Sequence, residues 1–193
     1  LGKTGVIYER SSKKRGPLRQ GEILSDIIQV RINLKDIRAE KLPRLRNIVH
    51  PWVIIVSQDC DLDWDFKARR DEGSPLKLMP SVLFCEMFEA TKVTQDKDKI
   101  KQNKNERYHF FQRCEKGADA SHMGLPELVV DFKRYFSVPT DEVYARINAS
   151  QLRRRSRLVS PYLEHFATRF YYFQYRVALP SDHQSEPDAP AKK

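Results

Sequence analysis

At 193 residues and 22.7 kDa the chain can bury one sizeable core, and its 40% hydrophobic and 32% charged residues make a globular composition. Thirty-five Lys and Arg against 26 Asp and Glu leave a net charge of +9, which favours a polyanionic partner: nucleic acid, RNA ahead of DNA, or an acidic protein surface. No stretch approaches the roughly 20 apolar residues of a membrane span. Three cysteines without a CxxC pair write no disulfide framework or zinc ribbon, and no signal-peptide pattern follows Lys13–Arg15. A cytoplasmic protein with reduced thiols, no metal, no cofactor and no membrane partner is therefore expected.

Residues 1–20 (with GKTG and SSKKRGPLRQ) are basic and are expected to form a flexible lead-in. GKTG matches only the tail of a phosphate-binding loop and lacks the strand and glycine that should precede it. A single globular domain is expected over 21–180. Ile23, Ile27, Ile28, Val30 and Ile32 predict a strand, alternating strictly from Ile28 to Ile32. Residues 34–49 are basic and irregular, and Leu42-Pro43 argues against one continuous helix there. Trp52–Gln58 predicts a second strand and Lys77–Met87 a third, with Glu72-Gly-Ser-Pro75 a loop between them. The polar segment 89–107 reads as a solvated excursion with one helical turn. Tyr108–Cys114 and Leu128–Val138 predict further strands, giving about five in all. Val138-Pro-Thr-Asp-Glu142 turns into a short helix with Thr140 as its cap.

The clearest helix start is Ser160 as N-cap with Pro161 at the first position. Leu163, Phe166, Ala167, Phe170, Phe173, Gln174 and Val177 then fall on one face at helical spacing. Residues 181–193 carry no large apolar side chain and are expected to be disordered.

Chemistry concentrates in HPWVIIVSQDCDLDWDF, from His50 to Phe66. Asp59, Asp61, Asp63 and Asp65 follow the apolar run at every second position. In an extended chain their carboxylates share one face about 7 Å apart, and a turn would gather them on a hard cation. Asp61, Asp63, Asp65 and Glu72 match positions one, three, five and twelve of a calcium loop, but Phe66 stands where that loop needs Gly. A solvated acidic turn is the plainer reading. Cys60 is a candidate nucleophile flanked by aspartates that disfavour its thiolate, and the alternative is a packed thiol at a strand end. His50 titrates in the range useful for acid–base work, or simply closes a strand. The candidate catalytic residues are thus His50, Asp59, Cys60 and Asp61. Arg44, Arg46, Arg153, Arg154, Arg155 and Arg157 are the candidate nucleic-acid contacts, since guanidinium forks suit phosphates; a solvated basic link between short helices is the alternative for the second group.

Gly21-Glu22-Ile23, His50-Pro-Trp-Val-Ile-Ile-Val-Ser57 and Met79-Pro-Ser-Val82 together resemble the opening of a PemK/MazF-type toxin, over residues 21–90. The resemblance implies a small SH3-like barrel with a late helix, a family in which many members cut single-stranded RNA. The family's catalytic arginine falls at His50, and Ser81 is the approximate stand-in for its Thr or Ser. The expected fold is therefore α+β: a β-rich, partly closed SH3-like barrel with helices toward the C-terminus. The expected function is a binding or regulatory module contacting RNA or a partner protein through arginine clusters. The alternatives are a divergent endoribonuclease or metal-assisted hydrolase, and a structural protein-interaction subunit.

Overall fold

Two eleven-residue strands, β2 (Glu22–Ile32) and β3 (Leu45–Ile55), form the longest antiparallel pair of the fold. The computed structural model describes residues 6–11, 15–38, 42–71, 73–94 and 96–176. Around the pair the chain runs β1 (Tyr8–Arg10), β2, α1 (Leu34–Arg38), β3, α2 (Asp59–Arg70), β4 (Ser81–Glu89), α3 (Lys97–Lys101), β5 (Tyr108–Phe111), β6 (Leu128–Pro139), α4 (Thr140–Asn148), β7 (Arg153–Leu158) and α5 (Tyr162–Gln174). All seven strands join one antiparallel sheet in the order β1-β7-β2-β3-β4-β6-β5. The class is α+β, as expected, but β1 and β5 stand at opposite edges and the sheet is not closed.

The apolar run Val53–Val56 is buried on both faces of this sheet, which is why it lacks the alternation of a half-exposed strand. On one face Ile23, Ile54, Cys85, Met87 and Phe132 pack under Phe166, Phe170 and Phe173 of α5. On the other face the intervening residues Leu24, Val53, Ile55 and Phe84 meet Leu62 of α2, Val143 and Ile147 of α4, and Leu18. Alternate residues of the same strands thus serve two separate helical layers. Gly21, just before β2, has a φ of +72°, which favours glycine, and a Cβ there would lie 2.6 Å from Leu163 Cδ1 of α5.

The amino-terminal twenty residues are more than a flexible lead-in. Tyr8–Arg10 pair with β7, the Tyr8 hydroxyl donates to the Gln112 carbonyl at 2.7 Å, and Leu18 is fully buried. Residues 1–5 and 12–14, and the expected tail at 181–193, lie outside the described residues, as does Val177 at the end of the α5 stripe. In α5 the N-cap is Pro161 and not Ser160, and in α4 it is Pro139, with Thr140 already helical. β3 begins at Leu45, seven residues earlier than the expected Trp52, because Pro43 lies just outside the ladder and leaves its hydrogen bonds intact.

Two corrections bear on function. The acidic run is the helix α2, neither an extended strand end nor a turn, and Arg153-Arg-Arg-Ser-Arg157 is the strand β7, not a link between helices. α2 holds Asp59 and Asp61 in its first turn and Lys67, Arg69 and Arg70 in its last, matching the helix dipole at both ends. Lys67 bonds Asp63 at 2.6 Å and Arg69 bonds Asp65 at 2.8 Å, both at i,i+4.

Candidate nucleic-acid interface

Asp59, Cys60 and Asp61 share the first turn of α2, and His50 does not join them. On a helix, residues two apart lie about 200° from each other, so the carboxylates that would share a strand face point apart. Asp59 is engaged locally: its Oδ1 accepts from the Gln20 backbone N–H at 2.7 Å and its Oδ2 from Arg157 at 2.9 Å. Cys60 is exposed, with Sγ 3.6 Å from both Gln58 Oε1 and Asp61 Oδ1 and no cation at the sulfur. His50 lies back along β3, about 17 Å before the strand's end at Ile55. Among the described residues no group of three or more His, Cys, Asp or Glu could hold a metal.

His50 is buried, with its ring stacked on Phe136 at 4.3 Å between centroids. Its Nε2 lies 3.3 Å from Gln29 Oε1. Its Nδ1 lies 3.5 Å from Glu86 Oε1 without a completed hydrogen bond. Burial lowers its pKa; Glu86 opposes the shift, while Arg31 and Arg134 add to it. At neutral pH the imidazole is uncharged.

The arginines sort into three roles. Arg154 and Arg155 are consumed inside the fold, their side chains only 4% and 5% exposed. Arg154 pairs bidentately with Glu22 and donates to the carbonyls of Gly16 and Pro17, fastening the amino-terminal segment to the sheet. Arg155 pairs with Asp119 through two 2.8 Å bonds, donates to the Gly124 carbonyl and lies 4.8 Å over the Trp52 ring. Neither can reach a phosphate, which corrects the expectation of one basic cluster at 153–157. Arg157 is shared between Asp59 and Glu9, and Arg44 is clamped to Asp36 through its backbone N–H, Nε and Nη2. Arg46 and Arg153 remain outward. Arg46 is exposed and has no carboxylate partner among the described residues, and Arg153, 63% exposed, has only Asp26 at 3.8 Å.

Arg46 belongs to a larger feature. Beyond Asp26 the β2–β3 pair runs on as a two-stranded arm ending in α1. Residues 31–46 carry six basic residues (Arg31, Lys35, Arg38, Lys41, Arg44, Arg46) against Asp36 and Glu40. Directly opposed residues share a face of such a ribbon. Arg31 opposes Arg46, Gln29 opposes Ile48 and Ile27 opposes His50, so the arginine pair lies on the side of the ribbon that carries the imidazole. The other side carries Ile28, Val30 and Ile32 with Leu45 and Val49, broken by Asn47. Arg134, 60% exposed and 3.1 Å from Glu86, extends the basic side onto β6. Residue-by-residue reading misses Arg31, which stands alone in sequence, and Arg134, which with Lys133 lies inside an apolar strand pattern. The available signal was the pairing of Gln29-Val-Arg-Ile32 with Leu45-Arg-Asn-Ile48 around a basic connection.

No protein-family model, curated protein or solved structure matches this chain when it is compared with them.

Proposed function

We propose that this chain is a nucleic-acid-binding module whose contact element is the basic side of the β2–β3 arm, with Arg31 and Arg46 at its centre and Arg134 and Arg153 beside it. One observation carries the reading. Arg31 and Arg46 are placed directly opposite each other, an arrangement that destabilises a ribbon unless an anion lies across it. Elsewhere the fold spends carboxylates freely on its arginines; Arg46 receives none among the described residues. A phosphate backbone supplies the missing charge across this pair. The arm carries no aromatic residue between 28 and 49. Contact is therefore with phosphates and not with stacked bases, and recognition is tolerant of sequence. RNA and duplex DNA share that chemistry.

Fluorescence-anisotropy titration of labelled single-stranded RNA and duplex DNA tests the proposal. Arg31→Ala with Arg46→Ala is expected to weaken binding at least tenfold, whereas equal affinity in wild type and double variant would remove the arm from the site.

A toxin-like or hydrolytic activity is the second reading, and its support is the contact chain His50–Glu86–Arg134 at 3.5 and 3.1 Å beside the same basic side. The PemK/MazF resemblance places a catalytic arginine where this neutral, stacked histidine stands. Its approximate Ser81 is half-buried at the start of β4, paired with Pro139. Running the recovered RNA on a gel separates the readings: cleavage abolished by His50→Gln supports the enzyme, and intact RNA supports the module.

A further inference from the structure

Four arginines of the fold meet a buried carboxylate: Arg154 has Glu22, Arg155 has Asp119, Arg69 has Asp65 and Arg107 has Asp131; Arg146 and Arg157 meet half-exposed ones. Arg169 of α5 breaks that pattern. It is half-buried, and its guanidinium donates to Asn103 Oδ1 at 2.9 Å, to His109 Nδ1 at 3.1 Å, to the Tyr108 carbonyl at 3.2 Å and to the Asn105 carbonyl. Every one of these acceptors is neutral. The hydrogen bonds are made, but the charge is not balanced by any carboxylate among the described residues. Burial accordingly lowers the Arg169 pKa with no anion to oppose it.

Beside this unbalanced cation is a cavity of ≈ 300 Å³ lined in part by Lys101, Asn103, His109, Tyr162 and His165. No carboxylate lines it. Arg169 can only donate, so it takes His109 Nδ1 as an acceptor and fixes the ring proton on Nε2. His109 is thus a donor on its other nitrogen, and the His165 ring lies 5.4 Å away between centroids. The lysine ammonium, the tyrosine hydroxyl and the two imidazoles put hydrogen-bond donors among the lining residues. Lys101 has no ion pair among the described residues.

We propose that this cavity binds an oxyanion of phosphate size, held by Lys101, His109, Tyr162 and His165 with Arg169 behind them as the fixed counter-charge. The site is separate from the arm and rests on different residues. Its volume suits a phosphate or phosphomonoester and is at the lower limit of ordinary ligand pockets. Free phosphate, a small phosphomonoester and the 5′-phosphate of a nucleic acid strand present the same chemistry to it.

The test is isothermal titration calorimetry at constant ionic strength, with inorganic phosphate against chloride. Lys101→Ala and His165→Ala are the variants, because both residues are exposed and neither anchors the core. Saturable phosphate binding on the order of 1 mM or tighter is expected, weakened at least fivefold in each variant. Phosphate heats no larger than those of chloride would overturn the proposal, as would unchanged affinity in both variants. Repeating the titration with a nucleoside monophosphate, and with 5′-phosphorylated and unphosphorylated oligonucleotides on the Arg31→Ala, Arg46→Ala background, identifies the source. Preference for the phosphorylated strand makes the site a reader of strand ends; preference for the monophosphate makes it a small-molecule site.

Discussion

Asp119 shows how this fold uses arginine. Burial pushes its carboxyl pKa up, but hydrogen bonds from Arg155 and Ser121 outweigh burial and leave it well below the usual carboxylate range. Its oxygens also accept the backbone N–H groups of Ser121, Met123 and Gly124, so one buried charge organises the loop before β6. Removing Arg155 strands that charge. Arg155→Ala is expected to cost about 3–5 kcal/mol in urea unfolding, whereas exposed Arg153→Ala should stay within about 0.5 kcal/mol. His109 provides the complementary pH prediction. Its pKa is held well below the ordinary 6.5 by burial first, then by Arg169 and His165. A depressed histidine contributes stability that is complete above the unfolded value and is lost as pH falls toward the folded one. The melting temperature should therefore fall as pH drops from about 7 toward 5, with a shallower slope in His109→Gln. A slope unchanged by that substitution would contradict the assignment.

At the scale of elements, α2 and β7 carry the lesson about what was legible. The strand core at Val53–Val56 could be read because a short continuous apolar run marks a strand buried on both faces, and the α5 stripe because its helical spacing serves one face. The acidic run misled because alternate aspartates mimic a strand face. The opposing signal was present in Asp63/Lys67 and Asp65/Arg69, four residues apart, which only a helix brings together. β7 was hidden more deeply. Nothing local in RRRSR announces that two arginines are buried, since their carboxylates, Glu22 and Asp119, lie 132 and 36 residues away in sequence. The same non-locality dispersed the expected site: Arg46 was visible as a candidate, but its partner Arg31 became meaningful only through cross-strand register. Asp65 ties its element to the fold, accepting the Met79 backbone N–H at 2.8 Å while bonding Arg69. Asp65→Ala should lower stability by about 3 kcal/mol, and a loss below about 0.5 kcal/mol would show that Arg69 finds adequate support from Asp141 alone.

The described residues form an open sheet with a helical layer on each face and an arm projecting from β2 and β3. Covering both faces lets the sheet bury a continuous apolar centre without closing. α5 is the larger share of one layer, with Phe166 fully buried against Phe111 and Phe132. Phe166→Ala is expected to destabilise by about 3–5 kcal/mol in a denaturant melt, and a cost under about 1 kcal/mol would mean that α5 is not a fixed part of the domain. Among the described residues no helix is long and apolar enough to cross a membrane. The arm stands apart from this economy: it buries little, keeps Leu45 and Val49 exposed beside its cations, and is the part of the molecule least explained by stability.

The salt dependence of binding tests the arm most directly. For duplex DNA, log K against log salt is expected to fall linearly, and each arginine that neutralises a phosphate contributes a slope of about −0.9. Arg31→Ala with Arg46→Ala should therefore make the slope shallower by about 1.8 without lowering the melting temperature, since it removes a like-charge pair. A double variant whose slope matches wild type would contradict the account, because the pair of guanidiniums held face to face across the ribbon would then contact no phosphate.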